Sequence, residues 1–165
     1  MLQRTLLLVR HAETETPRPG QDDFKRELTQ RGRADAERVG NHLQVLGYEP
    51  DRVLVSSALR ASQTAAIVTE QLNCATSTIS YRDALYYEGG SGLTDTLLDL
   101  PDELLQVLVL AHNPAISQFA GKLSGERLHM APCAVACIVG SSGSWAEFMG
   151  EGGRLEKFLD PSANN

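Results

Sequence analysis

Two arginines and two histidines follow three of the most apolar stretches of this chain. Arg10 and His11 end the first stretch, Arg60 lies shortly after the second, and His112 directly follows the third. Guanidinium groups bind anions, and an imidazole can act as a base, an acid or a nucleophile. If these side chains meet, they concentrate positive charge in a small volume. A phosphoryl group, which is dianionic and has three acceptor oxygens, is the ligand that such a site favours.

The three apolar stretches predict the strands that would position these side chains. They cover about residues 5–10, 52–56 and 107–111, and their unbroken Leu/Val character is typical of strands buried on both faces of a parallel sheet. In open α/β sheets, ligands bind at the carboxyl ends of the strands. Because all three stretches end in polar residues, we expect those residues to share one edge of the sheet.

Helical patterns alternate with the strands. Thr29 is a suitable N-cap for a helix that ends near Gly47, and residues 58–72 and 93–100 predict two more helices. This strand–helix alternation predicts an α/β fold. We expect a three-layer sandwich in which helices flank a mostly parallel, mixed central sheet.

Three further local predictions concern the second half of the chain. A short strand is expected at about residues 79–81. Asn113 and Pro114 have the residue types of an N-cap and a first helical position. Residues 134–139 and 145–149 flank Ser-Ser-Gly-Ser, a pattern that predicts a β-hairpin.

The length and composition favour one globular domain. The chain has 165 residues, which is enough for one hydrophobic core, and we expect a single catalytic domain over residues 1–160 with a frayed tail over residues 161–165. The net charge of −6 argues against nucleic-acid and anionic-membrane partners. No signal peptide or membrane span is predicted. We expect a monomer or a weak dimer.

The cysteines indicate a reducing compartment and do not indicate a metal site. Cys74, Cys133 and Cys137 are an odd number of thiols, and their spacing does not suggest a zinc site. Reduced, mostly buried thiols are typical of a cytoplasmic protein. The expected localisation is therefore cytoplasmic.

Four segments resemble motifs of the histidine phosphatase superfamily, and they occur in the order of that family. Residues 8–13 (Leu-Val-Arg-His-Ala-Glu) resemble its Arg-His-Gly signature, and residues 57–65 (Ser-Ala-Leu-Arg-Ala-Ser-Gln-Thr-Ala) resemble Ser-Pro-x-x-Arg-Ala-x-Gln-Thr. Residues 109–114 (Val-Leu-Ala-His-Asn-Pro) resemble its second-histidine segment. Residues 26–32 (Arg-Glu-Leu-Thr-Gln-Arg-Gly) are similar to Arg-Pro-Leu-Thr-x-x-Gly of the SixA-type phosphohistidine phosphatases.

The resemblance implies a phosphoglycerate-mutase-like fold and a covalent mechanism. His11 would be the nucleophile and form a phosphohistidine enzyme. Arg10, Arg60 and a protonated His112 would bind the oxygens of the transferred phosphoryl group, and water would then release phosphate. These cationic side chains supply the charge that a metal supplies elsewhere, so no metal or other cofactor is expected.

Secondary roles are expected for five more residues. Arg26, Ser57 and Asn113 are candidate substrate-binding residues. Glu88 and Glu13 are the available carboxylates for a general acid, although neither lies in a family motif. A phosphohistidine substrate needs little help from such an acid, because imidazole leaves far more readily than an alkoxide.

Three functions remain open at this stage. The favoured one is removal of phosphate from phosphohistidine on a partner protein. An alternative is a broad-specificity phosphomonoesterase or mutase-like enzyme that acts on small phosphorylated metabolites. A third is a phosphate-binding regulator without turnover.

Overall fold

A six-stranded mixed sheet forms the middle layer of the protein. The structure is a computed structural model that describes residues 1–163. Its strands are β1 (Leu2–Arg10), β2 (Arg52–Ser56), β3 (Ile79–Arg82), β4 (Gln106–Ala111), β5 (Val135–Ser142) and β6 (Arg154–Leu159). Its α-helices are α1 (Gln30–Val45), α2 (Leu59–Gln71), α3 (Ala84–Tyr87), α4 (Gly89–Leu98), α5 (Ala115–Ser124) and α6 (Trp145–Glu151). Short 3₁₀ turns cover Asp23–Lys25 and Thr76–Thr78.

The strand order is β3-β2-β4-β1-β5-β6. The first four strands along the chain run parallel, whereas β5 lies antiparallel to β1, and β6 lies antiparallel to β5. The prediction of an α/β fold with a mostly parallel, mixed sheet is therefore confirmed.

The unbroken apolar runs result from burial of both sheet faces. In β1, Leu6 and Leu8 belong to the core on one face, and Leu7 and Val9 belong to the core on the other. Helices α1 and α2 cover the second of these faces, and α4, α5 and α6 contribute to the core on the first. Since side chains alternate along a strand, covering both faces requires an apolar residue at every position. Within residues 1–163, no helix is both long enough and apolar enough to cross a membrane.

The predicted hairpin near the C-terminus is wrong. Residues 134–139 overlap β5, but residues 145–149 lie in α6, and the antiparallel partner of β5 is β6. Ser144 begins α6 because its Oγ accepts a hydrogen bond from the Glu147 backbone N–H at 3.0 Å. The Glu147 carboxylate accepts in turn from the backbone N–H of Gly143. This capping arrangement outweighs the turn character of Ser-Ser-Gly-Ser.

Other predicted boundaries also need correction. Thr29 caps α1 as predicted, but Asn113 does not cap α5, because Pro114 takes that position and its peptide bond with Asn113 is cis. The helix predicted at 93–100 begins earlier, at Gly89. At the start of the predicted frayed tail, Pro161 is buried and its carbonyl accepts from Arg38 at 3.3 Å. Residues 164 and 165 of the predicted tail lie outside the described residues.

Arg4 joins β1 to the turn before α6 from inside the protein. The side chain is almost fully buried, with 1% exposed. Its guanidinium donates to the Ser142 hydroxyl at 3.2 Å and to three backbone carbonyls at 2.8–2.9 Å, and it stacks on the Trp145 ring. A buried cation is thus held entirely by uncharged acceptors.

Removing this guanidinium should destabilise the fold strongly. In Arg4→Ala, a cavity forms, and three partly buried backbone carbonyls and the Ser142 hydroxyl lose their donor. We expect a loss of about 3–5 kcal/mol in the free energy of unfolding, measured by urea denaturation. The exposed Arg154 of β6 provides the control, since Arg154→Ala should change stability by less than about 0.5 kcal/mol. A loss of under about 1 kcal/mol in Arg4→Ala would show that the carbonyls find other donors.

Candidate active site

The strand order brings the two histidines and Arg60 together. β1 and β4 are neighbours, so His11 and His112 leave adjacent parallel strands at the same edge of the sheet. Their ring centroids lie 5.1 Å apart. Arg60, in the first turn of α2, is buried and directs its Nε to His11 Nε2 at 3.4 Å.

His11 is held in the form that a nucleophile requires. Its Nδ1 lies 2.8 Å from the Ala12 carbonyl oxygen, which can only accept a hydrogen bond, so Nδ1 carries the proton. The lone pair therefore lies on Nε2. Burial, followed by His112, Arg60 and Arg10, lowers the pKa of His11 to about 3, although the bond to Ala12 acts in the opposite direction. The ring is accordingly neutral at physiological pH.

Thr64 holds the backbone next to His11. Its hydroxyl donates to the Arg60 carbonyl at 2.8 Å and accepts from the Ala12 N–H at 3.0 Å. The same residue thus links the loop after β1 to the first turns of α2. This link gives Thr64, the threonine of the second motif, a structural role beside Arg60.

The loop after His11 also packs closely against the start of α1. Thr29 donates its backbone N–H to the Glu13 carbonyl at 3.0 Å, and its hydroxyl accepts from the Gly32 N–H at 2.9 Å. A Cβ at Gly32 would lie only 2.3 Å from the Glu13 carbonyl oxygen. The Thr-x-x-Gly spacing therefore permits a backbone approach that a larger residue would block.

His112 is neutral in the free site, whereas the protonated form expected from the sequence is that of the site with a bound phosphoryl group. Burial lowers its pKa to about 4, with further lowering by Arg60, Arg10 and Arg26, while Asp23 acts in the opposite direction. Its Nε2 lies 2.6 Å from the hydroxyl of Ser56. In the described part of the chain, its buried Nδ1 has no hydrogen-bond partner.

Ser56 is a site residue that the sequence analysis missed. It is fully buried as the last residue of β2, and it orients the ring of His112. The candidate Ser57, one position later, has a buried hydroxyl without a hydrogen-bond partner among the described residues. The signal was present, because Ser56 is the residue that ends the second apolar run.

Asp23 is the second missed residue, and it links Arg60 with Arg26. Arg60 donates to the Asp23 carboxylate at 3.2 Å and to its backbone carbonyl at 2.9 Å. Arg26 donates Nε to the same carboxylate at 2.9 Å, and Tyr86 donates its hydroxyl at 2.7 Å. The hydrogen bond from Tyr86, and then Arg26 and Arg60, lower the pKa of Asp23 to about 2. Nothing in the sequence distinguishes Asp23 from Asp22, whose carboxylate caps the adjacent 3₁₀ turn.

The other predicted residues make contacts that differ from those of the two histidines and Arg60. The Glu13 carboxylate accepts from the Thr29 hydroxyl at 2.9 Å, and Glu88 is exposed between α3 and α4. Asn113 donates to the Met130 carbonyl at 2.9 Å and accepts from the Ser117 hydroxyl at 2.6 Å, so its side chain supports the scaffold. Arg10 donates to the same Met130 carbonyl at 3.0 Å. This shared carbonyl holds Arg10 beside the pocket.

The charge of the pocket suits an anion. Arg10, Arg26 and Arg60 contribute three positive charges, and the Asp23 carboxylate compensates only one of them. Burial of the guanidinium lowers even the pKa of Arg10, which shows that this cation is partly removed from water. Across residues 1–163, no three His, Cys, Asp or Glu side chains are grouped so as to hold a metal ion.

The two buried neutral imidazoles should make the fold sensitive to acid. Their folded pKa values of about 3 and 4 lie below the ordinary value of 6.5. As the pH falls below 6.5, the unfolded chain binds protons that the folded protein does not bind, so stability decreases. We expect the free energy of unfolding to fall by about 2–4 kcal/mol between pH 7 and pH 5.

Urea denaturation at a series of pH values measures this dependence. His112→Asn removes one of the two buried imidazoles and should flatten the pH dependence by about half. His42→Ala removes an exposed imidazole from α1 and should leave the dependence unchanged. A His112→Asn protein with the full wild-type slope would contradict this explanation.

Comparisons with known proteins agree with the fold and the motifs. The profile of the histidine phosphatase superfamily (branch 1) matches residues 6–85. The structure of a candidate phosphohistidine phosphatase SixA from Nakamurella multipartita superposes with a TM-score of 0.86 and 26% identity, covering 98% of both chains. An uncharacterized chloroplastic protein of Arabidopsis thaliana is 25% identical over 99% of this chain and 80% of its own length.

A more local similarity concerns a protein phosphatase. The mitochondrial serine/threonine-protein phosphatase Pgam5 of Drosophila ananassae is 38% identical over 69 residues, which are 42% of this chain and 23% of that protein. The matched profile and the SixA-like fold both cover the segments that carry His11 and Arg60. Residues 6–85 are therefore similar to the histidine phosphatase superfamily, and the overall fold is similar to that of the SixA-type structures.

Proposed function

We propose that this protein is a phosphatase that removes phosphate from phosphohistidine on a partner protein, with His11 as the nucleophile. The observation that carries the proposal is the state of His11, whose Nδ1 proton is held by the Ala12 carbonyl while Nε2 faces Arg60. A neutral imidazole with a directed lone pair beside a guanidinium is suited to attack a phosphoryl group.

The reaction has two transfers. In the first, the lone pair of His11 Nε2 forms a bond to phosphorus while the bond from phosphorus to the substrate nitrogen breaks, and the substrate imidazole takes that electron pair. In the second, a water oxygen forms a bond to phosphorus, the bond from phosphorus to His11 breaks with its electron pair returning to Nε2, and the proton that the water loses passes to phosphate. Arg10 and Arg60 stabilise the equatorial oxygens in both transfers.

His112 has a role that depends on the ligand. It is neutral in the free site, and a bound phosphoryl dianion raises its pKa by direct charge attraction. The Ser56 hydroxyl donates to Nε2 of His112 when that nitrogen is unprotonated and accepts from it when it is protonated. In both cases this hydrogen bond keeps the ring fixed. His112 then donates a hydrogen bond to a phosphoryl oxygen as negative charge arrives.

Two observations favour a protein-borne phosphohistidine as substrate. The SixA-type structure that matches over nearly the whole chain is described as that of a candidate phosphohistidine phosphatase. Between Arg60 and His112, the α-helices besides the rest of α2 are the short α3 and α4, so this stretch contains no large inserted segment that could form a lid. The free thiols of Cys74, Cys133 and Cys137 fit action in the reducing cytoplasm.

A phosphoester substrate is the second candidate. The similarity to Pgam5, whose name is that of a serine/threonine-protein phosphatase, favours it over part of the chain. Such an enzyme needs a proton for the leaving oxygen. Glu13 is hydrogen-bonded at α1, Glu88 is exposed and Asp23 is ionised, so each would have to change its surroundings to supply that proton.

The test compares substrates directly. Phosphate release is measured from a phosphohistidine-bearing transfer protein, from phosphoserine peptides, from p-nitrophenyl phosphate and from a panel of small metabolite phosphates, each with and without a chelator. We expect the phosphohistidine protein to have the highest kcat/KM, unaffected by the chelator. Preference for the esters would support the second candidate, and binding of phosphate without turnover of any substrate would support a regulator.

A further inference from the structure

Asp23 and Tyr86 form a rim at the mouth of the phosphoryl pocket. The rim joins two separate parts of the chain, because Asp23 begins the 3₁₀ turn and Tyr86 lies in α3. The Tyr86 ring lies 5.7 Å from the Arg60 guanidinium and 5.6 Å from the His112 ring. The Phe24 ring packs edge-on against Tyr86 at 5.1 Å. An aromatic surface and a carboxylate thus border the groups that hold the phosphoryl oxygens.

The Asp23 carboxylate is partly exposed, and its donors come from the protein side. About 53% of its side chain is exposed. Oδ2 accepts from Tyr86 and Arg60, and Oδ1 accepts from Arg26. When a bound phosphoryl group accepts hydrogen bonds from the Arg60 guanidinium, Asp23 Oδ2 loses one donor and can accept another. The group that enters with the phosphoryl group is the leaving group of the substrate.

We propose that the Asp23–Tyr86 rim binds the leaving imidazole of the phosphohistidine substrate. The ring stacks against Tyr86, and the Asp23 carboxylate accepts the N–H of the ring nitrogen that does not carry phosphorus. This inference rests on the proposed function and names the part of the site that selects the substrate.

The hydrogen bond favours the chemical step. A phosphoimidazole protonated on its second nitrogen leaves as neutral imidazole, whereas the unprotonated ring must leave as an imidazolate anion. When the bond from phosphorus to nitrogen breaks, the electron pair goes to the nitrogen that carried phosphorus, and the proton stays on the other nitrogen. A carboxylate that accepts this N–H stabilises the protonated ring and so favours the better leaving group.

The same carboxylate discriminates against esters. Arg26 and Tyr86 still donate to Asp23 when a phosphoryl group engages Arg60, so the carboxylate stays ionised and has no proton to give to a leaving alkoxide. An ester oxygen has no N–H with which to bond Asp23, and its developing negative charge is repelled by the carboxylate. The rim therefore supports leaving groups that carry their own N–H donor.

The experiment measures two substrates with each of four proteins. The substrates are a phosphohistidine-bearing transfer protein and p-nitrophenyl phosphate, whose leaving group has no N–H and needs no proton. The proteins are wild type, Asp23→Asn, Tyr86→Leu and Glu15→Gln. Glu15→Gln is the matched control, because it removes the same charge from the same loop at a residue whose side chain pairs with Arg18. Thermal melting and inhibition by inorganic phosphate confirm that each variant retains its fold and pocket.

We expect Asp23→Asn to shift the two substrates in opposite directions. Its kcat/KM for the phosphohistidine protein should fall about tenfold, which is the difference between a hydrogen bond to a carboxylate and one to a neutral amide. Its KM for p-nitrophenyl phosphate should fall, because Arg60 and Arg26 lose their counter-charge. Tyr86→Leu should raise the KM for the phosphohistidine protein about tenfold through lost stacking. The control should keep the wild-type ratio of the two substrates.

Other outcomes overturn the inference or its basis separately. If Asp23→Asn changes both substrates by the same factor and in the same direction, Asp23 only shapes the charge of the pocket, and the rim is not a leaving-group site. If the wild type releases no phosphate from the phosphohistidine protein, the proposed function itself fails, whatever the variants do.

Discussion

The His11→Ala variant should release phosphate from the phosphohistidine protein about 10⁴- to 10⁶-fold more slowly than the wild type, as expected when a covalent nucleophile is removed. The reason is geometric. The lone pair on His11 Nε2 faces Arg60 and is placed to attack phosphorus. Without it, water would have to attack phosphorus directly, with no comparably positioned base to activate it. Substrate binding should remain measurable, since Arg10 and Arg60 still carry their charge. The loss should therefore appear in kcat.

A trapping experiment tests this prediction more sharply than the rate alone. Wild-type protein quenched during turnover of labelled substrate should carry an acid-labile phosphoryl group, and His11→Ala should carry none. His42→Ala, which removes an exposed imidazole of α1, should be labelled like the wild type. Label on the His11→Ala protein, or turnover near the wild-type rate, would exclude His11 as the nucleophile.

The second large effect is expected from Arg60→Lys, although this change keeps the positive charge. Arg60 makes three directed contacts, namely from Nε to His11, from Nη1 to the Asp23 carbonyl and from Nη2 to the Asp23 carboxylate. A lysine ammonium is a single point of charge and cannot make these contacts together. We expect kcat/KM to fall by about 10²- to 10³-fold, as for loss of one preorganised donor.

The comparison with a surface arginine isolates this effect. Arg38→Lys changes the same functional group at a position that is 55% exposed and paired with Asp35. It should leave kcat/KM within about twofold of wild type, as expected for a surface substitution. If Arg60→Lys retains more than about a tenth of the wild-type kcat/KM, charge alone suffices at this position, and the planar donor set is not needed.

The parts of the fold that the sequence predicted are those fixed by long-range burial. The apolar runs ending at Arg10, Ser56 and Ala111 predicted three neighbouring parallel strands, because covering both sheet faces leaves a recognisable pattern. The edge where these strands end then predicted that His11 and His112 would lie together. This prediction about the two histidines required only the positions at which the buried strands end.

The errors arose where the outcome depends on local competition. The serines before Trp145 suit a turn as well as a helix cap, and the capping bonds of Ser144 with Glu147 and Gly143 decided in favour of the helix. Asp23 was missed because its partners Arg60 and Tyr86 lie far along the chain, so only the folded structure brings them to it.

The position of β1 at the centre of the sheet also has a consequence for how the protein folds. Leu6 pairs with Val107 on one side and with Ile138 on the other, so β1 is synthesised well before either of its partner strands. Until β4 and β5 have been synthesised, the apolar segment of β1 lacks both partner strands while α1, β2 and α2 are being made. Pairings between strands that are distant in the sequence form slowly, and until they form the exposed apolar segments can associate with other chains. Refolding should therefore include a slow step set by docking of β4 and β5 onto β1, and His11 becomes positioned only when that step is complete.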